Sequence, residues 1–122
     1  MATIRPFRAV RPTRDKVNLV ASRSYLSYSD ETLKEKLDNN PFTFLHIINP
    51  DYKHKTKKYG TEKFNLVKQK FTNFNSEGTL FQDEKQSVYI YSQRNKSKTF
   101  TGIITAASVD DYLNGNIKVH EQ

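Results

Sequence analysis

Cysteine and tryptophan are absent from this 122-residue sequence, which also holds only four glycines, four prolines and one methionine. Without cysteine there are no disulfides and no thiolate metal sites, which fits a reducing compartment. No apolar run approaches the roughly 18 residues that a membrane span needs. The opening MATIRPFRAV lacks the apolar core of a signal peptide. We therefore expect a cytoplasmic protein with no membrane partner.

The familiar signatures of catalysis and of metal binding are also missing. The few glycines form neither a GxxxxGK[ST] nor a GxGxxG phosphate loop, and there is no GxSxG motif. The three histidines, at positions 46, 54 and 120, lack the spacing of metal ligands. Zinc-finger and RNP signatures of nucleic-acid-binding modules are absent. The motifs therefore predict no metal site and point to no standard enzyme class.

Positive charge is the main feature of the composition. The formal net charge is +7, and 35% of the residues are hydrophobic, among them seven tyrosines and eight phenylalanines. Such a charge favours an anionic partner, which could be a nucleotide, a phosphorylated small molecule or a nucleic acid. A solvated lysine-rich surface is the alternative. The length fits one domain over residues 1–122, with a single hydrophobic core.

Two stretches concentrate this charge. Residues 4–11 alternate like an edge strand, and arginines recur there and just beyond at every third position, at Arg5, Arg8, Arg11 and Arg14. This row either faces phosphate groups, with Arg5 and Arg8 as binding residues, or is a charged strand edge that resists pairing. Residues 52–58 form the densest positive run. We interpret them as a flexible surface loop, with phosphate binding as the alternative.

Two segments show the pattern of a helix. Ser29 can cap the first helix, which ends before Pro41. The second is expected from residue 56 or 61 to residue 74, with Gly78 as its stop signal. Its apolar side chains recur at helical spacing and predict a buried stripe of Phe64, Val67, Phe71 and Phe74.

The remaining apolar segments are interpreted as strands. Residues 13–28 are mostly loop with a short strand near 17–20, and residues 42–48 are apolar on both faces, which predicts a central strand. Residues 87–93 and 99–107 flank a polar loop and predict an antiparallel hairpin. A last strand carries Ile117 and Val119. The predicted fold is therefore α+β, with a mixed, largely antiparallel sheet, two main helices and a C-terminal hairpin.

The closing residues hold the only pair that suggests catalysis. Ser108 and Asp111 resemble a capping box at a short helical turn. Lys118 and His120 would share one face of the last strand. His120 and Glu121 would point to opposite faces unless the strand ends between them, because neighbouring strand residues alternate. They are either a general acid–base pair or an ordinary polar strand end.

Three motifs resemble one known family in their order and spacing. They are the opening IRPFRAVRP, the middle NPFTFLHIINPD and the closing YIYSQ with TGIITAASVDDYLNGNIKVHE. Together they resemble the N-terminal region of DUF1015, a family of unknown function. This sequence departs from many members at residues 24–27, where Ser-Tyr-Leu-Ser stands in place of a Pro-Tyr-Asp element.

The resemblance implies a function that the residue patterns alone do not. Family members are typically longer and are distantly related to the ParB and sulfiredoxin-like nucleotide-binding proteins, and some are thought to be ATP-dependent kinases of free L-serine. The resemblance therefore implies an N-terminal fragment, inactive alone, of a small-molecule kinase. ATP and Mg²⁺ would be cofactors of the full-length protein and not of this fragment. Lys118 would bind phosphate, and Glu121 and His120 would be catalytic.

Two other functions remain open on the sequence. A basic nucleic-acid-binding module would show one contiguous basic face and a steep loss of affinity with salt. A structural or interaction domain, whose open strand edge pairs with the remainder of a longer chain, would expose an apolar patch near the C-terminus and self-associate.

Overall fold

In a computed structural model, which describes residues 1–120, the chain separates into two compact units. The central unit is Val10–Phe81. The terminal unit joins Met1–Ala9 to the chain from Gln82 onward. Within residues 1–120, no helix combines the length and the apolar character needed to cross a membrane.

The central unit is mostly helical. Its helices are α1 (Val17–Val20), α2 (Asp30–Asn39), α3 (Leu45–Ile48) and α4 (Gly60–Ser76), with a 3₁₀ turn at Tyr25–Ser27. Strand β2 (Val10–Pro12) pairs with β3 (Leu80–Gln82). The two long helices, α2 and α4, are the two main helices that the sequence predicts.

The helix ends follow the local signals. The Ser29 hydroxyl accepts the N–H of Thr32 at 3.2 Å, which confirms the predicted cap of α2. Helix α4 ends two residues before Gly78, whose φ of +79° is the left-handed conformation that favours glycine. Both ends were predictable because they depend on residues a few positions apart.

One hydrophobic cluster forms the core of the central unit. It comprises the buried residues Val20, Ile47, Phe74 and Leu80, with Phe42 and Val67 packed against them. The predicted stripe of α4 is only partly correct, since Phe74 is buried but Phe64 is 71% exposed. Helical spacing located the buried face, but the core does not cover the whole length of the helix and leaves Phe64, near its start, exposed.

The predicted central strand at residues 42–48 is wrong, because this segment turns and forms α3. The Asn40 side chain accepts the N–H of Phe42 at 3.0 Å, and the Thr43 hydroxyl accepts the N–H of Leu45 at 3.4 Å. These local bonds compete with a strand ladder. A short apolar run fits a buried helix as well as a strand. The predicted short strand near 17–20 is also wrong, since those residues form α1. It was another short apolar run that fits either structure.

The terminal unit consists of two antiparallel strand pairs and a short helix. Strand β1 (Ile4–Arg5) pairs with β6 (Ala106–Ala107), and β4 (Tyr89–Arg94) pairs with β5 (Thr99–Ile104). The second pair confirms the predicted hairpin, whose turn closes with Asn95 N–H donating to the Lys98 carbonyl at 2.9 Å.

Helix α5 (Val109–Leu113) follows β6, and the Ser108 hydroxyl accepts a bond from the N–H of Asp111. The predicted last strand is wrong for its described part, residues 117–120, which form none. Instead, Ile117 N–H donates to the Asp111 carbonyl at 3.2 Å. Within residues 1–120 the strands form three separate two-stranded sheets, and the fold class is α+β, as predicted.

Candidate functional site

A hollow of about 380 Å³ lies in the terminal unit, beside the β1–β6 pair. It is lined by Thr3, Arg5, Ala106, Ala107 and Ser108. Arg5 lies opposite Ala106 in the ladder, and the Thr105 hydroxyl donates to the Arg5 carbonyl at 2.7 Å. The hollow therefore combines one guanidinium with two hydroxyl side chains.

Asp111 ties both ends of the terminal unit together. Its carboxylate accepts the backbone N–H of Thr3 at 2.8 Å and the Asn116 amide at 3.0 Å. These two bonds, that from Thr3 first, lower the pKa of Asp111 below its ordinary value of 3.8, so the group is ionised at neutral pH. Its backbone carbonyl accepts the N–H of Ile117.

This arrangement brings together the segments that carry two of the predicted phosphate-binding residues. Arg5 is two residues beyond Thr3, and Lys118 directly follows Ile117, so both are anchored through Asp111. Lys118 and His120 are exposed. Glu121, the other predicted catalytic residue, lies outside the described residues.

Arg8, the third predicted phosphate-binding residue, makes a different contact. Its Nε donates to the Asp83 carbonyl at 2.8 Å, within the terminal unit. Of the other two arginines in the row, Arg11 belongs to the central unit and lies 5.3 Å from the centre of the Phe81 ring. Arg14 also belongs to the central unit.

Tyr89 anchors the N-terminal segment, a role that the sequence analysis missed. Its hydroxyl accepts the N–H of Ala9 at 3.0 Å and donates to the Asp83 carboxylate, and its ring lies 5.2 Å from that of Phe7. The partners Ala9 and Phe7 are about eighty positions away in the chain, and no local signal reports such a contact.

Metal ligands are not clustered in the part of the chain that the structure describes. No three His, Asp or Glu side chains in residues 1–120 could together hold a metal ion. At the terminal hollow, Asp111 is the anchoring carboxylate, and each of its oxygens already accepts a hydrogen bond. The described side chains that line the hollow include one arginine and no carboxylate or imidazole.

Fold and site together define a small α+β protein with a cationic hollow. The model of the family described as Protein of unknown function (DUF1015) matches residues 4–122, so the chain belongs to this family. The match confirms the resemblance of the three motifs, and the family description assigns no activity. No curated protein and no solved structure matches the chain.

Proposed function

We propose that this chain is the N-terminal part of an ATP-dependent kinase that phosphorylates a small molecule, with free L-serine as the candidate acceptor. The support comes from the closing motif, with Lys118, His120 and Glu121, which resembles that of family members thought to have this activity. Phosphoryl transfer depends mainly on positioning and charge stabilisation. It therefore suits a chain without a recognisable nucleophile motif.

The observation that carries the proposal is the anchoring of the Arg5 and Lys118 segments by the same residue, Asp111. A guanidinium can hold phosphate oxygens through two parallel hydrogen bonds, and a lysine adds a point charge. In this proposal Arg5 binds phosphate in the hollow and Lys118 screens the negative charge.

Mg²⁺ would accompany the nucleotide, since it is usually held by one or two carboxylates together with phosphate oxygens. The described residues that line the hollow do not fit a resident metal ion, because they include the cationic Arg5 and no carboxylate or imidazole. We therefore assign the chain only phosphate binding, and no step through the metal.

The test is an NMR amide-shift titration of this chain with Mg·ATP at two salt concentrations. We expect localised shifts at Thr3, Arg5 and Ser108 and around Lys118 that persist at the higher salt. Arg5→Gln should weaken binding about tenfold, the loss of one charged hydrogen bond. Arg94→Gln, in the hairpin of the same unit, is the matched control and should have little effect. An absence of shifts at these residues, or equal losses in both variants, would contradict the proposal.

A second candidate function is an assembly surface, and the exposed hairpin favours it. Ile90 and Ile103 are cross-strand partners, yet they are 81% and 60% exposed. Tyr91, Phe100 and Ile104 are also largely exposed. A two-stranded hairpin alone is marginally stable in water, and clustered exposed apolar side chains mark interaction surfaces. In this second proposal the hairpin packs against the remainder of a longer chain.

Self-association tests this second candidate, because the uncovered hairpin of this chain should associate with other copies. We expect sedimentation to detect oligomers that Ile103→Lys dissociates. Thr101→Lys adds the same charge two residues away in the same strand and is the matched control. A wild-type chain that stays monomeric at high concentration would count against the assembly surface.

A further inference from the structure

Three adjoining hollows line one side of the central unit, where the turn after α3 lies beside α2 and α4. They measure about 310, 450 and 250 Å³, and His54 lines all three. The first two also share Leu37 and Tyr52, and the last two share Pro50 and Lys70. Because the hollows have these side chains in common, we treat them as one groove, named here the His54 groove.

Cations from different elements line this groove. Lys53 comes from the turn and Lys70 from α4, and they line the middle hollow. Three more lysines line the neighbouring hollow, namely Lys34, Lys57 and Lys63. Three aspartates also line the groove, so the excess is two positive charges before His54 is counted.

These lysines are not neutralised by ion pairs within residues 1–120. The salt bridges found nearby and elsewhere in the central unit join Lys58 to Glu62 and Lys16 to Asp15, and neither involves a groove lysine. Asp51, one of the three aspartates, is buried and accepts the backbone N–H of Lys58 at 2.9 Å. That backbone bond, together with the weaker effect of the Lys63 and His54 charges, holds the pKa of Asp51 below its ordinary 3.8. Asp51 therefore offsets part of the charge of Lys63 and His54, whereas Lys53 and Lys70 are left for an added anion.

His46 forms a neutral part of the groove wall. Its side chain is buried, with Nε2 2.9 Å from the Asn40 carbonyl, and the Tyr52 ring packs edge-on at 5.4 Å. Burial, helped by the charges of Lys70 and Lys53, holds the pKa of His46 below its ordinary 6.5. Lys53 and Lys70 line the same hollow as His46, so the two charges lie around one part of the groove.

We propose that the His54 groove binds a small molecule that carries phosphate groups, with Lys53, His54 and Lys70 as its main contacts. Concave sites with lysines on separate elements hold an anion better than a convex lysine-rich face, because the charges converge and solvent screens them less. The two larger hollows, of about 310 and 450 Å³, suit a small ligand, since ligand pockets are usually about 300–1,000 Å³. This site is distinct from the Arg5 hollow and does not depend on the proposed kinase activity.

Inorganic pyrophosphate is the probe for the test, followed by NMR amide shifts of the whole chain. We expect saturable shifts at His54 and along α4 near Lys70, and none centred on Arg5. Lys70→Gln should weaken binding about tenfold, as expected for one charge-assisted hydrogen bond. Lys68 belongs to the same helix but is exposed and does not line the groove. Lys68→Gln removes the same charge, and its affinity for pyrophosphate should stay within about twofold of the wild-type value.

Three results would overturn the proposal. The first is a lack of saturable shifts at His54 and Lys70. The second is an equal loss of affinity in Lys70→Gln and Lys68→Gln, which would indicate a diffuse anion surface. The third is tighter binding of a single-stranded oligonucleotide than of pyrophosphate, with a steep salt dependence. That result would indicate a nucleic-acid surface. Amide spectra of both variants establish that they are folded, and Lys53→Gln provides an independent second variant.

Discussion

The two units of this protein are stabilised in different ways. The central unit has a hydrophobic core, with side chains such as Leu45 and Ile47 almost wholly removed from water. In the terminal unit, none of the residues that the structure describes is buried to that degree. Hydrophobic burial is the dominant favourable contribution to folding. The central unit can therefore be stable through packing, whereas the terminal unit depends on hydrogen bonds.

Those hydrogen bonds join positions far apart in the sequence. Phe7 and Ser87 exchange two backbone bonds of 3.0 and 2.9 Å, and Tyr89 and Asp111 each anchor the N-terminal segment. A typical hydrogen bond contributes only about 0.5–1.5 kcal/mol. Closing such a long loop costs conformational entropy. The terminal unit should therefore open before the central unit, and a bound partner would stabilise it.

The largest expected effect is in the core of the central unit. Phe74→Ala should lower the free energy of unfolding by about 3–5 kcal/mol, because it removes a buried ring and leaves a cavity. Phe64→Ala, at an exposed position near the start of the same helix, should change it by about 0.5 kcal/mol or less. Urea denaturation followed by circular dichroism measures both. Similar losses in the two variants would contradict the position of the core.

A smaller effect is expected from the Tyr89 hydroxyl in the terminal unit. Tyr89→Phe leaves the Ala9 N–H without its acceptor and should cost about 1–2 kcal/mol. Hydrogen exchange should speed up at Ala9 and in the hairpin, with the central unit unaffected. Tyr91→Phe removes an exposed hydroxyl from the same strand and is the control. Faster exchange across both units would show that they unfold together.

Helix capping offers a milder comparison. Ser29→Ala removes the cap of the ten-residue helix α2 and should cost about 1 kcal/mol of global stability. Ser108→Ala removes the corresponding cap of the five-residue helix α5. It should speed hydrogen exchange only in the terminal unit. A global loss from Ser108→Ala equal to that from Ser29→Ala would contradict the difference between the units.

The mildest perturbation is a change of pH. The pKa of His46 is lower in the folded state than its ordinary value of 6.5, because burial disfavours the imidazolium. The unfolded chain therefore takes up a proton first, and stability should fall as the pH drops below 6.5. His46→Gln should flatten this part of the pH profile, measured by urea denaturation. A slope that stays unchanged in His46→Gln would contradict this assignment.

Signals between near neighbours made several features predictable. Ser29, Ser108 and Gly78 marked helix ends because capping and left-handed turns involve residues only a few positions apart. The hairpin was predictable because two apolar strands flank a short polar loop. The motif resemblance also led to the correct family, which the match over residues 4–122 confirms.

The segment at 42–48 shows the limit of that information. Its apolar run fits a buried helix or a buried strand equally well, and the Asn40 side chain just before it has hydrogen-bond partners both nearby and far away in the chain. One of them is the Leu19 carbonyl, 2.7 Å away and about twenty positions earlier in the chain. The candidate sites also depend on contacts between distant segments. Asp111 joins Thr3 to Ile117, and the turn of His54 meets Lys70 of α4.

Composition, capping residues and strand patterning thus determined the α+β class, the two main helices, the hairpin and the excess of positive charge. Only the tertiary structure decided which cations converge, which phenylalanines are buried and that the chain forms two units. The physical reason is the separation along the chain between the residues that interact. Caps and turns are settled by bonds within a few residues, whereas burial and charge convergence depend on contacts between segments that the sequence keeps far apart.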